Sequence, residues 1–127
     1  MSAMLLSIKP EYAQRIIDGT KQFEFRTRRC REDITKIIFY STVPESKVVG
    51  EAEIEEVISG APSTVWEKTK HAAGIPRSFF RSYYKGRKVA VAYKLKNVIA
   101  YEEPKSLSDY GITHVPQSFI YIEEEPR

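Results

Sequence analysis

Cysteine and histidine are nearly missing from this chain of 127 residues, which has one of the first and two of the second. A lone Cys30 excludes an intrachain disulfide and suits a reducing compartment. With His71 far from Cys30 and no paired spacing, the pattern argues against a zinc site, and no metal or other cofactor is expected. No apolar run approaches the roughly 18 residues that a membrane span requires. The start, "MSAMLLSIKPEY", has no basic leader, and its apolar run Met4–Leu6 is too short for a signal peptide. The expected location is therefore cytoplasmic, with no membrane partner. Also absent are a P-loop, G-x-G-x-x-G, G-x-S-x-G and H-E-x-x-H, which removes several common enzyme classes.

What is present is charge, unevenly spread. The net charge is only +3, yet Lys68–Lys88 holds seven Lys/Arg and no acid, and "RTRRCR" (26–31) adds four arginines. Acids gather in "EAEIEE" (51–56) and in the tail "EEE" (123–125). Two basic segments fit a polyanionic partner; two solvated faces without a ligand give the same pattern.

Length and the lack of linkers or repeats predict one domain over 1–127, with an acidic, frayed tail at about 123–127. "MLLSI" (4–8) is expected to be a buried strand, and Pro10 opens a short helix that Gly19 ends. "KQFEFRT" (21–27) alternates, with Phe23 and Phe25 on one face and Glu24 and Arg26 on the other. "KIIFYS" (36–41) and "VVGEAEIEEVIS" (48–59) are further strands, and Gly50 marks a bulge. A helix over about 64–72 capped by Ser63, a second over 76–86, a long strand over 87–101 and a last strand over 118–122 complete the chain. Leu107 and Tyr110 are the expected anchors of an irregular stretch between the last two strands. The fold class is α+β: a small, mostly antiparallel β-barrel with short helices in the connections.

The stretch Gly19-Thr20-Lys21-Gln22-Phe23-Glu24-Phe25-Arg26 matches G-x-K-x-x-E-x-R at all four fixed positions. With its flanks "LSIKPEYA" and "KVVGEAEI" and the later strand "VAVAYKL", the chain resembles the ASCH-domain family from about Leu5 to Tyr101 and on toward Leu107. That resemblance implies a PUA-like barrel with a cleft beside the motif that binds RNA or a nucleotide-like ligand. Some members of the family act on RNA or on modified nucleosides; the fold alone does not decide the chemistry.

The motif residues have competing readings. Gly19 either ends the helix at positive φ or admits a ligand to the backbone. Lys21 holds a phosphate, or acts as a base with a lowered pKa, or is an ordinary surface lysine. Glu24 and Arg26 share a strand face, where they either brace the barrel mouth as an ion pair or divide a ligand between them. Phe23 and Phe25 are core candidates. Lys9, Tyr40 and Ser41 are candidate lining residues, and Arg28, Arg29 and Arg31 would steer a backbone. In 68–88, Phe79, Phe80, Tyr83 and Tyr84 fall at helical spacing, so most should be core, while Arg77, Arg81, Lys85 and Lys88 stay outside as phosphate contacts.

The leading function is an RNA- or nucleotide-binding module, a regulator of RNA metabolism or transcription. The alternative is a small hydrolase, a ribonuclease or an amidohydrolase on modified nucleosides, with Lys21 and Glu24 as catalytic residues. The amidohydrolase branch pairs the motif lysine with a hydroxyl three residues later and a carboxylate from the helical connection. Here Glu24 takes the first position, and Glu67 is followed by Thr69, Lys70 and His71, so that triad is absent as such. A protein partner for the acidic strand and tail is permitted by composition but has no motif behind it.

Overall fold

Alternation in the apolar runs sets the layers. The computed structural model describes residues 2–123. β1 (Ser2–Ile8) sends Met4, Leu6 and Ile8 to one face and Ala3 and Leu5 to the other. β3 (Lys36–Ser41) does the same with Ile37 and Phe39 against Ile38 and Tyr40. The two strands run parallel, Met4 opposite Ile37. Every other pairing is antiparallel among β2 (Phe23–Arg26), β4 (Lys47–Gly60), β5 (Ala90–Lys105) and β6 (Phe119–Glu123). The strand order is β2-β5-β4-β3-β1-β6.

This α+β sheet does not close. It is an open half-barrel whose edges stand 10 Å apart, which corrects the expected barrel. The edge strands are short, and β2 offers only four residues, all paired with β5. Acids of the predicted tail beyond Glu123 lie outside the described residues.

Three apolar clusters bind the layers. The inner one joins Met4, Leu6, Phe39, Val91 and Tyr93 to Ala13 and Ile16 of α1 (Pro10–Ile17). Helix α1 begins on Pro10, whose missing N–H costs nothing at a first turn, and stops before Gly19 at φ +87°. The second cluster packs Phe23, Phe25 and Ala92 against Val65 of α2 (Pro62–Thr69), Ala72 and Ala73, and Phe80 of α3 (Arg77–Tyr83). Helix α2 starts one residue before the expected Ser63 cap, because Pro62 takes the first helical position. The third cluster puts Leu107 and Tyr110 against Leu5, Ile38 and Tyr40, as expected of those anchors. Among the described residues no helix is long and apolar enough to cross a membrane.

Gly50 sits at a register shift in β4, and a Cβ there would lie 2.5 Å from the Ile99 carbonyl oxygen. Gly50→Ala therefore forces β4 and β5 apart. We expect a loss of about 1–3 kcal/mol in urea denaturation, with the cleft residues still in place.

Candidate functional site

The motif residues meet at the open edge of the sheet. Helix α1 ends, the chain turns at Gly19, and Lys21 enters the interior instead of the rim. Its backbone N–H bonds the Arg15 carbonyl at 2.9 Å, and the Gln22 N–H bonds that of Ala72 at 2.9 Å. The side chain is then trapped: Lys21 is only 2% exposed. Lys21 Nζ donates to the Ala73 carbonyl at 3.0 Å, lies 3.6 Å from Glu24 Oε1 and sits 4.8 Å from the Phe25 ring centre. Burial is the main cause that pulls the Lys21 pKa down, and Glu24 opposes it.

Glu24, 5% exposed, is held from both sides. Its Oε2 accepts from Arg26 Nε at 3.2 Å and Nη2 at 2.8 Å. The same Arg26 reaches across the sheet's gap: Nη2 donates to the Ser7 carbonyl at 2.7 Å and Nη1 to Ser118 Oγ at 3.3 Å. Arg26 thus does in side chain what no backbone ladder does between these edges. With Lys21 protonated, the three groups carry one positive charge more than negative, which favours an incoming anion.

A cavity of about 140 Å³ opens over this cluster. Ser7, Ile8 and Lys9 form one side, Tyr12 and Ile75 the next, and Phe79 and Tyr83 of α3 close it. Lys9 Nζ lies 5.4 Å from the Phe79 ring centre, and Phe79 stacks on Tyr83 at 7° between planes and 6.4 Å between ring centres. The tyrosine pKa values at 12 and 83 are raised, chiefly by burial, so both phenols keep their protons at neutral pH.

Other predicted site residues fall elsewhere. Alternation turns Tyr40 into the third core cluster, and Ser41 is fully buried; neither lines this cavity. Arg77, Arg81 and Lys85 line a separate hollow beside Trp66, on the far side of α3 from Phe79 and Tyr83. Lys88 is exposed before β5. Of the four aromatics in α3 and its end, Phe80 and Tyr84 are buried, but Phe79 and Tyr83 face the cavity. Arg28 and Arg29 are exposed in a neighbouring groove. Among the described residues no group of three or more His, Cys, Asp or Glu could hold a metal ion.

Tyr12 and Gly74 are among the contributors that sequence reasoning missed. Tyr12 gave only a helical apolar spacing. Gly74, at φ +69°, follows the short helical turn over 70–72, and a Cβ there would lie 2.2 Å from Lys21 Cβ. Gly74 also offers its carbonyl to Arg15 Nη1 at 2.8 Å. The sequence signal was there in "AAG" (72–74), small residues that let the backbone approach a lysine stem.

Residues 1–122 match the family described as Domain of unknown function (DUF365). The crystal structure of ASCH from Zymomonas mobilis superposes with a TM-score of 0.87 at 27% identity, over 96% of this chain and 88% of that one. The chain belongs to the DUF365 family and is an ASCH-domain protein. Over 94 residues this ASCH domain is 31% identical to the "ASCH domain-containing ribonuclease" of Zymomonas mobilis subsp. mobilis, covering 73% of the chain and 64% of that protein. Over 120 residues it is 32% identical to the protein named "Large ribosomal subunit protein uL22" in Ureaplasma parvum serovar 3, covering 94% of the chain. The ASCH domain spans only 39% of that relative's length.

Three variants test the cluster and the turns beside it. Lys21→Met removes a buried cation and keeps its packing, so folding stability should stay level or rise by up to about 2 kcal/mol. The lysine's folded pKa lies below its ordinary 10.5, so the unfolded chain holds that proton more tightly. The wild-type protein should therefore gain stability as pH rises through the folded value toward the unfolded one, and Lys21→Met should lose that slope. Denaturation at a series of alkaline pH values measures both. Gly74→Ala should destabilise by about 1–3 kcal/mol, through left-handed backbone strain and the clash on Lys21. Gly19→Ala, with nothing within 4 Å of its Cβ, should show the strain alone in the same melts.

Proposed function

We propose that this protein is a ribonuclease that cleaves single-stranded RNA at the Lys21 cavity. The observation that carries the proposal is a buried Lys–Glu–Arg cluster, with a lysine whose proton burial loosens, at the floor of an aromatic-walled cavity. Arg26 and Lys9 supply the cations around a phosphodiester there. The kinship with a protein named as an ASCH domain-containing ribonuclease supports cleavage over binding alone.

The chemistry follows from the two kinds of titrating group present. Burial lowers the Lys21 pKa, so it takes the proton of a ribose 2′-hydroxyl. The 2′-oxygen then attacks the adjoining phosphorus, and the bond to the 5′-oxygen breaks. A phenol, Tyr12 or Tyr83, gives its proton to that leaving oxygen. The products are a 2′,3′-cyclic phosphate and a 5′-hydroxyl. Glu24 positions Lys21 and Arg26 and does not touch the reacting atoms.

A labelled oligoribonucleotide should be cut and the DNA of the same sequence should not, because it has no 2′-nucleophile. Lys21→Met should lower kcat/KM by at least about 100-fold, and the Tyr→Phe variant that removes the acid by about 10²–10⁴-fold. As pH rises, kcat/KM should climb as Lys21 loses its proton, at a pH below lysine's ordinary 10.5, and fall only when the phenol ionises, above 10. RNA that shifts in a gel without any turnover, with and without chelator, would return the protein to the class of binding modules.

A further inference from the structure

The Lys21 cavity is too small for a polynucleotide. Its volume of about 140 Å³ falls below the roughly 300–1,000 Å³ of ordinary small-molecule pockets. It admits a phosphate and part of a nucleoside, and the chain on either side must run along the surface. One wall of the cavity is also the wall of a second hollow: Arg26 lines both.

That second groove, of about 490 Å³, lies between the β2–β3 connection and β6. Arg28 and Arg29 line one bank, both exposed, and no carboxylate among the described residues pairs with either. Ser118, Phe119 and Tyr121 line the other bank. Tyr121 is well exposed for a tyrosine on a sheet, at 37%. Its ring is fixed nonetheless: Phe119 meets it edge-on at 5.6 Å, the Arg31 guanidinium lies 4.2 Å from its centre, and the Arg31 N–H donates to its hydroxyl at 3.0 Å. A fixed aromatic ring beside Arg28 and Arg29, which no described carboxylate pairs, supplies the elements of a single-strand platform: the cations take phosphates and the ring takes a base.

We propose that this groove is a further nucleotide subsite, which takes the residue beyond the pair joined by the phosphate held over Lys21 and makes the protein select longer RNA chains over dinucleotides. The assignment rests on the RNA reading of the first cavity. Ser118 Oγ, which accepts from Arg26, marks the passage between the two. A strand crossing there would meet Arg26 first, then Arg28 and Arg29.

The test uses oligoribonucleotides of two, three and four residues, assayed for cleavage and, by fluorescence anisotropy, for binding. In the wild-type protein kcat/KM should rise about tenfold when the dinucleotide is lengthened by one residue. Tyr121→Ala and the double variant Arg28→Ala/Arg29→Ala should lose that gain and keep the dinucleotide rate, which also shows that they fold. Tyr121→Phe, which keeps the ring, should retain it. A flat length dependence in the wild type, or a gain that survives in both alanine variants, overturns the subsite even if RNA is cleaved. Binding that gains with length and is lost in those variants, with no turnover of any RNA, supports the subsite and rejects the ribonuclease reading.

Discussion

Glu24 gives one carboxylate oxygen to Arg26 and turns the other toward Lys21, from a position almost closed to solvent. Burying three charged groups is expensive, and mutual attraction repays it only when their geometry is good and their remaining donors are satisfied. Here the Ala73 carbonyl takes the lysine, and the Ser7 carbonyl and Ser118 hydroxyl take the arginine. The cluster therefore ties the motif strand to three places: the 72–74 turn, the end of β1 and the approach to β6, the last two already joined by the Ser7 N–H to Ser118 carbonyl bond. Removing Glu24 would leave two cations facing each other in a dry site, a loss of several kcal/mol by comparison with other broken buried pairs.

The open edge of the sheet and the site have one origin. β2 pairs with β5 alone, and from its free side Arg26 reaches the end of β1 at Ser7 and the approach to β6 at Ser118. A closed ladder would fill that space with backbone hydrogen bonds. The gap instead holds a guanidinium, whose planar fork reaches partners on both sides. The cavity over Lys21 and the groove beside Arg28 lie on either side of that one group. Helix α3 supplies the outer wall because Phe79 and Tyr83, four apart, share a face, while Phe80 and Tyr84 point to the second core cluster.

Local pattern carried much of the architecture. β1 and β3 were visible as short apolar runs, β2 from period-two alternation, α1 from Pro10 and Gly19, and the β4 irregularity from Gly50. The motif itself placed Lys21, Glu24 and Arg26 together, since residues two or three apart near a strand start cannot move far from one another. Tyr40 could not be placed this way. Its hydroxyl suits a cleft or a core edge equally, and only the packing of Leu5 and Leu107 around it decides. Arg77 and Arg81 were likewise legible as exposed cations but not as residents of the far side of α3, because a helix's rotation about its axis is set by what it packs against.

By itself, then, the sequence determined the class of the fold, the lengths of most elements and the trio of charges, all of which follow from short-range spacing and backbone preference. The tertiary structure decided whether the sheet closes, how deep Lys21 sits, and that Gly74, Tyr12 and Ser118 belong with it. Those outcomes depend on contacts between residues 52 and 92 positions apart, as with Lys21 and Ala73 or Arg26 and Ser118. Such contacts leave no periodic trace in the chain, because they are chosen by how separate layers meet.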